Sequence, residues 1–305
     1  MDRISRNITP VAPFDFELTA GYLTYFQGRY ATDSLVNGVY RRLLDLDGQL
    51  VLASVSSLGS LEKPELSVEL QGEGLTSDNV EAATDKVAWI LGVGQELEPF
   101  YASAQGDPAM AAITQRFHGL HMPHTASVFE ALVLAILGQQ IATNVARIIR
   151  TLLIETYGPR QTIDGETYYA FPRPETLAAL RVEDLRGMKL SQRKAEYVHC
   201  IACTALDDPE FIEGLHHLDD EAVVRQITSL RGVGNWTAQW LLIRALGRPD
   251  ALPLGDLALR RVVSRLYFQD EPLNDTEVEE FCRRWSPYRT YATTYMFTAM
   301  RTGMA

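Results

Sequence analysis

Leu230-Arg231-Gly232-Val233-Gly234-Asn235-Trp236-Thr237-Ala238-Gln239-Trp240 decides how the chain is read, together with Asp256 about twenty residues further on. Apolar residues recur at helical spacing on both sides, with Ala222, Val223, Ile227 and Leu230 before the turn and a second set from Trp236 to Leu246 after it. Two helices therefore flank a very short connection. Glycine at 232 and 234 suits it: glycine takes positive φ freely and, lacking a Cβ, lets backbone N–H groups approach a large partner. The second helix begins at once, so its unbonded N–H groups and positive dipole end face out of the turn. Such a terminus binds an anion, and phosphate fits it. Taken alone, Gly-x-Gly requires no more than an ordinary helical hairpin without a ligand.

Working outward, the second helix gives way to Gly247-Arg248-Pro249-Asp250-Ala251-Leu252-Pro253-Leu254-Gly255-Asp256-Leu257-Ala258-Leu259-Arg260-Arg261, a turn-rich loop with Asp256 where a third helix starts. Aspartate at a helix start is by itself an ordinary N-cap. The hairpin, the proline- and glycine-rich loop and the aspartate are much rarer in combination.

At these residues the chain resembles the helix-hairpin-helix DNA glycosylases that carry a Gly/Pro-rich loop followed by aspartate, and within them the bacterial 3-methyladenine glycosylases. Five ordered segments carry the likeness: Ala135 to Ile141 (AILGQQI), Leu190 to Tyr197 (LSQRKAEY), Leu230 to Ala238 (LRGVGNWTA), Leu252 to Arg260 (LPLGDLALR) and Trp285 to Ala292 (WSPYRTYA). A weaker match lies at Pro13 to Leu23.

The chain has 305 residues, 46% of them apolar, which is ample for two or three domains. No apolar run approaches a membrane span, and Met1-Asp2-Arg3-Ile4-Ser5-Arg6 has no signal-peptide character, so a soluble cytoplasmic protein is expected. Cys200, Cys203 and Cys282 do not make a disulfide framework. The first two form a C-x-x-C inside a helical pattern rather than at a helix start, which argues against a redox or zinc role. Some members of the family carry a four-cysteine iron–sulfur loop after the catalytic region; only Cys282 lies there, so no cluster and no cofactor is expected. His118, His121 and His124 sit around Gly119 and Pro123 and read as a solvated loop rather than a metal site.

A net charge of −11 is awkward for a nucleic-acid partner. It is uneven, however: residues 1 to 100 carry 7 Lys/Arg against 15 Asp/Glu. Between Leu230 and Arg265 there are six arginines, Arg231, Arg244, Arg248, Arg260, Arg261 and Arg265, and only Asp250 and Asp256 against them. A local positive face can steer DNA onto an acidic protein, with weak, salt-sensitive binding as the consequence.

Residues 1–100 read as mixed strand and helix, with strands at Leu43 to Leu46, Leu50 to Val55 and Leu66 to Leu70 and a helix from Asp78 to Leu91. The resemblance implies an α+β N-terminal domain with a small antiparallel sheet, followed over 101–305 by an all-α helix-hairpin-helix glycosylase region whose two helical subdomains flank an active-site cleft. From Pro99 onward no strand is expected. Helices are read at Phe129 to Tyr157, broken at Gly138-Gln139-Gln140, at Pro174 to Ala179, Val182 to Arg186, Ser191 to Leu206, Asp219 to Leu230, Thr276 to Trp285 and Tyr288 to Met300.

An enzyme acting on a base inside the duplex must extrude the nucleotide, fill the gap and hold the base against aromatic surfaces. Breaking an N-glycosidic bond builds positive charge on the sugar, which a carboxylate stabilises while directing water to it. The resemblance gives that role to Asp256, places Trp236, Trp240, Tyr22, Phe297 and Leu257 at the base pocket, and puts Gln140 at the intercalating wedge. It assigns phosphate binding to Gly232, Val233 and Gly234, and offers the carbonyls of Thr228, Leu230 and Val233 to a monovalent cation. Trp285, Pro287 and Arg289 match as structural elements, and Asp250 is read as a solvated rival carboxylate. In relatives that also nick the strand a lysine stands where this chain has Trp236, so the expectation is a monofunctional enzyme.

The chain departs from the pattern at Leu257, where a tyrosine follows the aspartate, and at Gln140, where the wedge is a leucine. Both bear on substrate range. The expected partner is damaged double-stranded DNA carrying alkylated purines, and family analogy gives a monomer with no membrane association. Two readings stay open beside this one: a glycosylase for oxidised purines of the 8-oxoguanine type, against which the missing lysine counts, and a non-catalytic hairpin DNA-binding module, which would need neither Asp256 nor an aromatic pocket. A methyl-accepting regulator would need an N-terminal cysteine cluster that is absent.

Overall fold

A six-stranded antiparallel sheet opens the computed structural model, which describes residues 1–304. Its strands are β1 (Asp2–Ile8), β2 (Arg29–Tyr30), β3 (Asp33–Val36), β4 (Val39–Leu46), β5 (Gln49–Ser57) and β6 (Leu66–Gly72), in the order β1-β6-β5-β4-β3-β2. Alternation explains the central three. Tyr40 and Leu44 of β4, Val51, Ala53 and Val55 of β5 and Leu66, Val68 and Leu70 of β6 turn to one face, where helices α1 (Phe16–Leu23) and α2 (Ser77–Ile90) cover them. Asp15 and Thr76 cap those helices by accepting the amides of Leu18 and Asn79. The strands read from sequence fall within β4, β5 and β6. β1 carries only Ile4 and Ile8 as inward apolar residues, and β2 and β3 are short, so neither composition nor period marks them.

Residues 97–304 are built from α3 (Glu98–Ala104), α4 (Pro108–Arg116), α5 (Val128–Gly138), α6 (Thr143–Tyr157), α7 (Pro174–Ala178), α8 (Val182–Gly187), α9 (Gln192–Asp207), α10 (Pro209–Glu213), α11 (Asp220–Ile227), α12 (Asn235–Arg244), α13 (Leu257–Tyr267), α14 (Asp275–Cys282) and α15 (Arg289–Arg301). They form two cores. One joins α5 through α12 around Leu132, Ile136, Val198, Ile227 and Leu241. The other joins α3 and α4 to α13, α14 and α15 around Phe100, Met110, Phe117, Val263 and Tyr295, and also takes in Tyr22 of α1. Trp240 packs against both.

The expectation of no strand after Pro99 is overturned. Arg160–Ile163 (β7) and Glu166–Tyr169 (β8) pair as a hairpin around Asp164-Gly165, both at positive φ. Its Ile163 and Tyr168 cover Leu43 and Leu52 on the outer face of the sheet, so an insertion from the helical region shields the sheet's second side. The Asn/Asp-Gly turn was the available signal.

Two further interior features escaped the sequence reading. Arg42 of β4 is 3% exposed, donates to both oxygens of Asp33 and of Glu130 on α5, and so bridges the sheet to the helical region. His121 and His124, read as solvated, are 0% and 3% exposed. His121 is held between the carbonyls of Gly92 and Pro13, and His124 stacks on Trp89 at 4.2 Å between ring centroids. Burial, with Arg244 nearby, lowers His124 to about 4. An unfolded histidine titrates near 6.5, so the unfolded chain takes up the proton first and native stability falls as pH drops from about 6.5 towards 4. The expected loss from this residue is about 2 kcal/mol by pH 5 and on the order of 3 kcal/mol once the pH is below 4. Urea midpoints at pH 7.5 and pH 5.0 check it, with a His124→Gln variant expected to show a flatter dependence than the parent.

Candidate active site

The hairpin between α11 and α12 closes with the Val233 amide donating to the Leu230 carbonyl at 3.1 Å. Gly232 has φ +90, and a Cβ there would meet the Tyr197 ring at 2.3 Å. Gly234 is the N-cap of α12, and a Cβ there would meet nothing within 4 Å. The two glycines therefore serve different ends: the first permits the turn, and the second leaves the start of α12 open. Gly232→Ala is expected to lower stability by at least ~2 kcal/mol through the left-handed backbone and the clash. Gly234→Ala should cost under ~1 kcal/mol, because a Cβ there meets nothing. Thermal unfolding of the two variants separates the two roles.

The segment Leu190 to Tyr197, which the sequence assigned no role, braces this turn. Tyr197 lies under Gly232, Glu196 pairs with Arg231 at 3.2 Å, and Lys194 donates to the carbonyls of Leu137 and Gln139 at the end of α5. Gln139 in turn donates to the Gly232 carbonyl at 3.0 Å and to Thr237 Oγ1 at 3.1 Å. Its neighbour Gln140, at φ +53, is exposed. The α5–α6 turn and the hairpin are thus tied together, with the residue assigned as wedge on the outside.

Asp256 is the N-cap of α13, and its carboxylate is bonded at both oxygens. Oδ1 accepts from the amides of Ala258 at 2.8 Å and Leu259 at 3.2 Å. Oδ2 accepts from the indole N–H groups of Trp236 at 3.0 Å and Trp240 at 3.2 Å. The residue is therefore a cap and, at the same time, the focus of two tryptophans one helical turn apart on α12. All three are half-buried, at the seam where Trp240 joins the two helical cores. Trp240 also stacks on Phe297 of α15, with centroids 5.9 Å apart and 18° between planes. Trp236, Trp240, Phe297 and Asp256 are thus brought together; Tyr22 is 3% exposed and packs into the same core as Phe297. Leu257 stands 63% exposed beside the carboxylate.

The loop that presents Asp256 is fastened from behind. Asp250, read as solvated, accepts from Arg289 Nε and Nη2 at 2.8 Å each and from Ser286 Oγ at 2.8 Å. It is a half-buried structural carboxylate, and the bonds from Arg289 and Ser286 overcome the effect of burial and hold it below the usual carboxylate range. Thr290 adds exchanges with Pro249 and Ala251. The match at Trp285 to Ala292 is explained by this clamp.

The positive face is thinner than the six arginines suggest. Arg231 pairs with Glu196, Arg248 with Asp220 and Arg260 with Asp275, while Arg244 turns in over Tyr22. Arg261 and Arg265, four apart on α13, are exposed with no acidic group within 4.0 Å among the described residues. The Leu230 carbonyl, one of three offered to a cation, already accepts the Val233 amide and has one lone pair left.

The sequence profile of the HhH-GPD superfamily of base excision DNA repair proteins matches residues 133–287, a span that includes Gln140, the hairpin and Asp256. DNA-3-methyladenine glycosylase of Bacillus subtilis (strain 168) is 30% identical over 205 residues, covering 67% of this chain and 68% of that protein. The solved 3-methyladenine DNA-glycosylase from Archaeoglobus fulgidus is 30% identical and superposes with a TM-score of 0.84 over 97% of this chain and 98% of its own. MBOgg1 in complex with a low affinity DNA ligand shares the fold, with a TM-score of 0.78 at 18% identity over the whole of both chains.

Proposed function

Because the chain belongs to the HhH-GPD superfamily of base excision DNA repair proteins and is a DNA glycosylase, we propose that it removes alkylated purines from duplex DNA by hydrolysis, with Asp256 as the catalytic carboxylate. The observation that carries this reading is the convergence of Trp236 and Trp240 on Asp256 Oδ2, which joins an aromatic surface to a fixed negative charge.

In this mechanism the N–H groups of Gly232 and Gly234 and the N-terminal end of α12 hold a phosphate beside the lesion, while the Val233 amide closes the turn between them. Gln140 enters the stack as the nucleotide leaves it, and the extruded base lodges against Trp236, Trp240 and Phe297, with Tyr22 behind them. As the bond from the sugar to the base nitrogen lengthens, its electron pair leaves with the base and positive charge grows on the sugar. Asp256, oriented by two amides and two indoles, stabilises that charge without having to reorganise. Water then adds to the anomeric carbon and loses a proton to solvent, since a purine that was positively charged in the DNA departs as the neutral free base and takes up no proton. Trp236 offers no amine, so no Schiff base forms and the strand is left intact. A monovalent cation on the carbonyls of Thr228, Leu230 and Val233 would add positive charge beside the phosphate. The family names of relatives and the aromatic site favour alkylated over oxidised purines. The bonded carboxylate favours an enzyme over a binding module.

The direct test is chromatographic identification of free bases released from methylated duplex DNA. Release of 3-methyladenine is expected. Tight duplex binding without release of any methylated base would sink the reading, and a panel with 8-oxoguanine would then distinguish the oxidised-purine enzyme from the module.

A further inference from the structure

Beyond Trp240 and Phe297 lies a group of charges that the mechanism does not use. Arg244 follows Trp240 by four residues on α12, and Arg301 follows Phe297 by four on α15, so each stands one helical turn beyond a member of the stacked pair. Both turn onto Tyr22: Arg244 lies 5.4 Å and Arg301 4.3 Å from its ring centroid. Arg301 is also 4.3 Å from the ring of half-buried Tyr25 and is thus held between two phenols. Behind Tyr25, Arg147 lies over Tyr25 and Tyr30, and Arg150 donates to Tyr30 Oη at 2.9 Å.

Four guanidiniums therefore gather at one end of the aromatic site. None lies within 4.0 Å of a carboxylate among the described residues. Arg301 Nη1 is buried with no hydrogen-bond partner, a cost that an arriving acceptor would relieve. Burial opposes ionisation of Tyr25, yet Arg301, Arg150 and Arg244 outweigh it and bring its phenol down to about 8. That is the response of a group in a strongly positive surrounding. The electron-rich face of Tyr22 is already occupied by two cations, which removes it as a stacking surface for a third.

We propose that Arg244 and Arg301 form the far wall of the base site and read a carbonyl oxygen on the extruded purine, so that the enzyme favours neutral, carbonyl-bearing damaged purines over purines with a fixed positive charge. A carbonyl oxygen gains a charge-assisted bond from the unpartnered guanidinium. A cationic ring meets like charge in a water-poor site instead. This inference rests on the reading of the Trp236–Trp240–Phe297 surface as the base site.

The test compares single-turnover release of hypoxanthine and of 3-methyladenine by the parent, Arg301→Met and Arg244→Met, each from duplexes carrying one lesion. The parent is expected to release hypoxanthine at least as fast as 3-methyladenine, and the hypoxanthine to 3-methyladenine ratio should fall at least tenfold in Arg301→Met. A merely structural role would slow both bases by a common factor and leave the ratio where it was, and that result overturns the proposal. So does a parent that releases 3-methyladenine and no hypoxanthine. A parent that releases neither base, nor any other damaged purine, overturns the base-site reading as well, which tells the two failures apart. Should Arg301→Met fold poorly, Arg301→Lys, which keeps the charge but loses the planar donor pair, should still lower the ratio.

Discussion

Asp256→Asn should release base roughly a thousandfold more slowly than the parent, the scale of effect seen when one fixed electrostatic contribution is removed from a site of this kind. The change takes away the negative charge and little else. Asparagine is as good an N-cap as aspartate, so its carbonyl oxygen can go on accepting the amides of Ala258 and Leu259. The new amide N–H2 instead faces the indole N–H groups of Trp236 and Trp240, donors meeting donors, at a cost of about 1–3 kcal/mol in stability. Asp256→Ser provides the control, since it keeps a cap and offers no second donor. Both variants should bind duplex as the parent does, because the hairpin is untouched. Measuring base release, thermal unfolding and DNA affinity on all three proteins isolates the charge. A variant within tenfold of the parent would remove Asp256 from the chemistry and leave it as a cap.

Arg42→Ala should destabilise the fold by about 3–5 kcal/mol, the largest loss expected of any single change outside the site. The side chains of Arg42, Asp33 and Glu130 are 3%, 8% and 4% exposed, so removing the cation strands two carboxylates away from water. Tyr40 donates to Asp33 and can moderate only one of them. Burying the triad is itself costly, and well-packed neutral replacements are often as stable as the ions. A triple variant, Arg42→Met with Glu130→Leu and Asp33→Asn, is therefore expected to recover most of the loss, the asparagine still accepting from Tyr40. Urea unfolding at pH 7 checks both. A cost below ~1 kcal/mol for Arg42→Ala would mean that the carboxylates escape to solvent and that sheet and α5 are not joined as described.

How much of this was legible in the sequence depended on how local the cause was. The α11–α12 hairpin, the cap at Asp256 and the break at Gly138-Gln139-Gln140 are set by neighbouring residues, and the helix boundaries fell within a few positions of those read from periodicity. Sequence likeness brought Trp236, Trp240 and Asp256 to one site but said nothing of how they meet. That the indoles donate to the carboxylate follows from the angle between α12 and α13, which no local pattern records. Charge misled for the same reason. Arg231, Arg248 and Arg260 look free in sequence because Glu196, Asp220 and Asp275 lie outside the window in which they were counted. The buried histidines and Arg42 are long-range effects of the same kind: polar residues become interior when distant segments, Pro13 and Gly92 for His121, supply their partners.

The second helical core has a consequence for how the protein is made. Its early half, Phe100 to Leu120, is synthesised long before its late half, which runs from Leu252 to Ala299. A ribosome that has passed Asp256 has delivered the hairpin, both tryptophans and the carboxylate, but not Phe297 or Arg301. Until α15 emerges, Trp240 lacks its stacking partner and the loop at Asp250 lacks its clamp. A nonsense mutation between Leu257 and Tyr288 should therefore yield a polypeptide that carries Asp256 in its sequence and has no repair activity, with Phe100 and Phe117 uncovered and marked for degradation.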